Sequence, residues 1–167
     1  MECLSKVSRR INSLVEVLTT VLGMTMIGVM LLAIILRYVL HLSPIWTAEL
    51  TRFLFVWTML LGVTVLARKE NHVCIEIFRE RGTPLMKIIF SLVSRGVTLV
   101  FSIFILLEGF SLARISMGQV SLDMRFPMGI VYAVIPLSGA LMTLHVLALV
   151  AEDAMAAKLN HRDEVRL

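Results

Sequence analysis

The sequence predicts an all-α integral membrane protein with four transmembrane helices and both termini in the cytoplasm. Three observations carry that reading. Hydrophobic residues fill 58% of the 167 positions and mean hydropathy is +0.89, against about 45–50% apolar residues in a soluble domain. A soluble fold of this size cannot hide so much apolar surface, so lipid must act as solvent for most of it. The apolar residues fall into four blocks, and Lys and Arg gather in the short flanks between them rather than on a continuous face. A net charge of +4 distributed in that way reads as membrane orientation and argues against nucleic acid as a partner. The whole chain, 1–167, reads as one four-helix membrane domain.

The first block, 17–36, is 20 residues without a charge and reaches about 30 Å at 1.5 Å per residue, the thickness of the hydrocarbon core. Lys6, Arg9 and Arg10 ahead of it resemble the start of a signal peptide. The run exceeds the roughly 7–15 residues of an h-region, however, and no clear small-residue cleavage site follows. It is expected to be a retained span over 14–36. The second block, 53–67, is too short alone, but Pro44 suits the first turn of a helix, which extends the span to 45–67. The third span, 86–110, is interrupted by Arg95 and carries Glu108 near its end. The fourth, 127–150, contains Pro136 and His145.

Between the second and third spans, 68–85 is expected to form an interfacial connection on the cytoplasmic side. Within it the segment NHVCIEIFRER, 71–81, supports two patterns. Val73, Ile75 and Ile77 follow a period of two, while Val73, Ile77 and Phe78 share a helical stripe. Residues 151–167 form a cytoplasmic tail.

Orientation follows from the flanking cations. The N-terminal tail, the connection 68–87 and the C-terminal tail hold eleven Lys and Arg residues together. The opposite side holds four: Arg37, Arg52, Arg114 and Arg125. The positive-inside rule therefore places both termini in the cytoplasm. Cys3 and Cys74 then face a reducing compartment and lack CxxC spacing, so both read as free thiols.

The densest chemistry lies at 37–52, RYVLHLSPIWTAELTR. Trp46, Glu49, Leu50 and Phe53 share one side of a helix at offsets of three, four and seven,. Glu49 is expected to pair with Arg52 at i,i+3 or with Arg37 across the loop. Tyr38 and Trp46 suit the headgroup level, so an aromatic belt with snorkelling arginines is the alternative reading of the same residues. Arg95 sits eight residues beyond Lys87, about 12 Å up the third helix. It either snorkels to the headgroups or meets a partner. Glu16 and Glu108 lie near span ends as interfacial charges.

The four histidines raise a haem reading, but His41, His72 and His161 fall in the outer loop, the inner connection and the tail. Only His145 lies inside a span, so no two share a depth. No HExxH, CxxC, phosphate loop or GxSxG occurs, and neither an enzyme, a cofactor nor a metal site is expected. A self-sufficient transporter is a poor fit, because Pro136 has no counterpart in the first half to mark a pair of broken helices. Small residues recur at four-residue spacing (Thr19 and Gly23, Thr58 and Gly62, Gly129 and Ala133), which permits close helix contact.

In order and spacing these residues resemble the small membrane subunit, the Q-type permease, of tripartite ATP-independent periplasmic (TRAP) transporters. The resemblance rests on Arg37-Tyr38, on Trp46-x-x-Glu49-x-x-Arg52-Phe53, and on the run Phe55-Val56-Trp57 to Leu61-Gly62. Arg68 and His72 follow. Later come Phe126-Pro127-Met128, Val131-Tyr132 and Ile135-Pro136-Leu137. It covers about residues 10–150. The chain departs from the pattern at Ala48, where relatives often carry a second acidic residue, and at Gly129, where an aromatic is frequent.

The resemblance implies a non-catalytic partner of a large permease subunit that carries the substrate and sodium sites and moves like an elevator. A soluble periplasmic solute-binding protein captures the solute, typically an organic acid, and is a further candidate partner. Membrane lipid is another. Arg37, Tyr38, Trp46, Glu49 and Arg52, with Arg95 and Tyr132, are the candidate residues for a partner or lipid interface. A membrane anchor of a redox complex and a self-sufficient small transporter are the alternative functions. Reporter domains fused at Ser43 and at Gly118 are expected to fold in the periplasm; cytoplasmic activity from both would reverse the orientation.

Overall fold

The structure, a computed structural model, describes the backbone of residues 2–42, 44–79 and 84–164 and the side chains of 7–42, 44–68 and 93–151. The chain is all-α. It comprises α1 (Glu2–Tyr38), α2 (Trp46–Arg79), α3 (Pro84–Ile115), a short α4 (Met128–Tyr132) and α5 (Val134–Glu164). Four stretches are long and apolar enough to cross a membrane: Val7–Tyr38, Trp46–Arg68, Val93–Gly118 and Met128–Ala151. The side chains of 71–81, and with them Cys74 and His72, lie outside the described residues, as do those of Cys3 and His161. The backbone of α2 is helical through Arg79, which selects the helical alternative for this segment up to that residue.

Local chemistry explains the helix ends. At the close of α1, His41 adopts the left-handed region (φ 52°) and the Leu42 amide returns to the Leu36 carbonyl at 2.9 Å. Arg37 in the last turn of α1 and Glu49 in the first turn of α2 both complement the helix dipole. The second helix begins at Trp46, so Pro44 precedes the first turn rather than occupying it. The Pro44 carbonyl instead takes the Thr47 hydroxyl at 2.8 Å. The fourth span is broken at Ala133. Pro136 lacks the N–H that would bond the Tyr132 carbonyl, and its ring crowds that carbonyl.

The helices associate as two antiparallel pairs, α1 with α2 and α3 with α5, joined chiefly where α2 meets α5. The fourth span is the most central and α1 the most peripheral, with none of its most apolar window buried. Val15, Leu61, Val65 and Val134 form the core where α1, α2 and α5 meet. The four-residue spacing of small side chains has a reciprocal purpose. Gly23 faces Thr58, and Gly62 faces Thr19, so each threonine methyl sits over the other helix's glycine. In the second pair the approach is closer. A Cβ on Gly139 would lie 2.6 Å from the Leu106 nitrogen, and Thr143 donates to Ser102 at 3.0 Å beside this crossing.

Close approach of this kind is how helices associate in lipid, where apolar contact alone gives no advantage over the acyl chains. Gly139→Ala is expected to cost about 1–3 kcal/mol through overpacking, read as a lowered Tm of the purified chain. Gly28→Ala, with no neighbour within 4 Å, is the control and should be neutral or stabilising.

Candidate functional site

At the outer end, meaning the end bearing the 1–2 and 3–4 loops, one carboxylate joins the two helix pairs. After α3 a 3-10 turn, Ser116–Gly118, leads into a narrow hairpin. There the Ser121 amide bonds the Phe126 carbonyl at 2.9 Å, and the Met128 amide bonds the Gln119 carbonyl at 2.9 Å. Arg125 takes the left-handed conformation (φ 51°) to close it. The amides of Asp123 and Met124, left over at the tip, point instead to Glu49 Oε2 at 3.2 and 2.9 Å. An ionised acceptor makes these bonds stronger than neutral ones.

The expected pairing of Glu49 with Arg52 or Arg37 is not a direct ion pair, and Arg52 acts on the carboxylate through its charge alone. The carboxylate is spent on backbone N–H groups some 74 and 75 residues away, while Arg37 and Arg52 are exposed. The hairpin offers two convergent donors in fixed positions, which a long arginine side chain matches only after losing its rotamer freedom.

A second tie lies about two turns deeper. The Trp57 indole of α2 donates to the Val131 carbonyl of α4 at 3.1 Å, next to the helix break that Pro136 imposes. Gly129 lets α4 sit against α3, since a Cβ there would lie 2.6 Å from the Ala113 carbonyl oxygen.

At the opposite, inner end a buried polar chain joins three helices. Arg68 Nη1 of α2 donates to Ser8 Oγ of α1, and Ser8 Oγ lies 2.8 Å from His145 Nδ1 of α5. With Arg68 donating to its oxygen, the Ser8 hydroxyl is left to donate to Nδ1. This assigns the ring proton to Nε2. Ser8 and His145 are both wholly buried. His145 stands out in the sequence as the lone histidine within a span, without an evident role, and nothing in the sequence singles out Ser8. The usable signal was that a polar ring at that depth requires partners.

The remaining sequence candidates divide by exposure. Tyr38 is 72% exposed and Trp46 41%, at the outer ends of α1 and α2. Tyr132 is half-buried in α4. Arg95 is 8% exposed, covered by its own chain. Among the described residues no group of three or more His, Cys, Asp or Glu side chains is arranged to hold a metal ion.

Residues 26–155 match the family model described as "Tripartite ATP-independent periplasmic transporters, DctQ component". The chain belongs to the DctQ family. The DctQ-family stretch contains Glu49, Trp57, Arg68, the 119–127 hairpin and His145, whereas Ser8 precedes it. The chain is 30% identical over 124 residues to the C4-dicarboxylate TRAP transporter small permease protein DctQ of Rhodobacter capsulatus, covering 73% of this chain and 55% of that one. It is 30% identical over 71 residues to the sialic acid TRAP transporter small permease protein SiaQ of Vibrio cholerae, 42% of this chain and 41% of that one. With the sialic acid TRAP transporter permease protein SiaT of Haemophilus influenzae it shares 39% identity over 66 residues, 40% of this chain and 11% of that one. The chain thus spans about half the length, or less, of these relatives.

Two substitutions test the ties. Glu49→Gln is expected to accelerate hydrogen exchange at the Asp123 and Met124 amides while leaving the Ser121 amide protected; unchanged exchange at all three would remove the clamp. Ser8→Ala should cost about 1–3 kcal/mol by stranding the buried His145 Nδ1, with Ser13→Ala, at an exposed position, close to neutral in the same melt.

Proposed function

We propose that this chain is the stationary, non-catalytic subunit of a TRAP-type secondary transporter. It braces a large permease subunit for sodium-coupled, binding-protein-dependent uptake of an organic acid across a bacterial inner membrane, with both of its own termini inside. The observation that carries the proposal is the double tie between the helix pairs, Glu49 to the hairpin at one end and Ser8, Arg68 and His145 at the other. A subunit that itself moved cargo by alternating access would need its halves to part at one end and then the other. Here both ends are fastened by bonds whose loss leaves buried or charged groups without partners.

The partner follows from the apolar faces left outside. On α3, Val97, Val100, Phe104 and Leu107 are each more than half exposed, and α1 offers a similar face. Lipid or a large apolar protein surface must cover them. The relation to SiaT supports the protein partner, since there a matching stretch forms only 11% of a longer permease chain. The named relatives belong to transporters of sialic acid and C4-dicarboxylates, both carboxylates, which supports an organic acid as the solute.

Vesicles containing this chain alone should take up no organic acid under an inward sodium gradient. Adding the large subunit and the binding protein should restore uptake. Uptake by the chain alone would overturn the reading.

A further inference from the structure

At the outer end α1 and α2 diverge around an open groove of about 600 Å³. Its floor on α1 is apolar (Met30, Ala33 and Ile34), and its mouth carries Arg37, Tyr38 and, from the hairpin, Asp123. Depth is set by the span ends. The apolar stretch of α1 finishes at Tyr38 and that of α2 starts at Trp46, so the mouth lies at the headgroup level. Met30 is eight residues below Tyr38, about 12 Å at helical rise, among the acyl chains.

The charges are as informative as the depth. Arg37 and Asp123 line one groove, both exposed, and they form no ion pair with each other. A ligand suited to this lining carries an anion and a cation close together above an apolar tail. We infer that the groove is a binding site for a zwitterionic phospholipid with a primary ammonium, a phosphatidylethanolamine. The phosphate meets Arg37, the ammonium meets the Asp123 carboxylate, and the glycerol and one acyl chain run down over Ala33, Ile34 and Met30.

A carboxylate accepts charge-assisted hydrogen bonds from a primary ammonium. A choline headgroup has no N–H to give it, and a glycerol headgroup has no cation. A soluble zwitterion would leave the apolar floor uncovered. Glu49 contributes at one remove: its bond to the Asp123 amide, 3.2 Å, fixes the residue that selects the headgroup. Bound lipid fills the wedge between the helix ends and extends the outer tie sideways into the bilayer. The inference stands on the groove alone and does not depend on the transporter reading.

The test uses the full chain in nanodiscs of phosphatidylethanolamine, phosphatidylcholine and phosphatidylglycerol in equal parts with matched acyl chains. Native mass spectrometry then counts the lipids retained. Wild type should keep phosphatidylethanolamine several-fold over the other two. Asp123→Asn should equalise phosphatidylethanolamine and phosphatidylcholine, and Arg37→Gln should lower retention of all three. Neither side chain makes a hydrogen bond in the fold, so both variants should fold, Asp123→Asn melting with wild type and Arg37→Gln slightly below it through the lost helix-dipole contact. If either variant does not fold, the wild-type retention ratio decides. Equal retention by wild type, or a preference that survives Asp123→Asn, would overturn the proposal. So would an Ile45→Cys cross-link to the large subunit in the assembled transporter with no lipid retained, which would make the groove a protein contact.

Discussion

In lipid, four apolar helices gain nothing by touching one another unless they pack more closely than acyl chains do or share hydrogen bonds. The structure answers that constraint within each helix pair and again between them. Within pairs, glycines admit the opposing helix: Gly23 and Gly62 between α1 and α2, Gly139 between α3 and α5. Between pairs there is little surface of that kind, and polar bonds take over. Glu49 and Trp57 reach from α2 to the hairpin and to α4. At the far end Arg68, Ser8 and His145 link α2, α1 and α5. Without them the two pairs would be held only by the apolar core of Val15, Leu61, Val65 and Val134 where α1, α2 and α5 meet.

The architecture was legible because its signals are local. Apolar runs of bilayer length and the cation-rich flanks each act over a few residues and mark four spans; the break of the last one at Ala133, before Pro136, appears only in the structure. The small-residue spacing also pointed to real contacts, though not to which helix each would meet. The site was legible only in its membership. Glu49 and Trp57 stood out as part of an ordered pattern, and both turn out to bridge the halves. Their partners were hidden because the bonds run to backbone groups 74 and 75 residues away, and a backbone amide has no sequence signature. The Ser8–His145 bond spans 137 positions, and a serine beside basic residues in the flank of the first span gives no hint that it is buried. Sequence proximity suggested arginine partners for Glu49; its hydrogen bonds go to the hairpin amides, and Arg52 contributes only its charge.

The division of labour in the outer loop follows from the same physics. Carboxylates at membrane ends are costly without donors, and the hairpin tip has two amides to spare. Satisfying both at once fixes the hairpin, which in turn holds Asp123 over the groove beside Arg37. Stiffness and lipid recognition are thus consequences of one arrangement. On the proposed reading of this DctQ-family chain as a brace, an anchored rim serves as well as a rigid interior.

The claim at the centre is that the two helix pairs move as one body. Electron–electron distance spectroscopy tests it most directly. Spin labels would be placed at Phe55→Cys on α2 and Phe104→Cys on α3, both at exposed positions, with Cys3 and Cys74 replaced by serine. In the assembled transporter in liposomes, a single narrow distance should be measured, the same with and without sodium, solute and binding protein. A distance that shifts or splits by several ångströms during turnover would contradict the account.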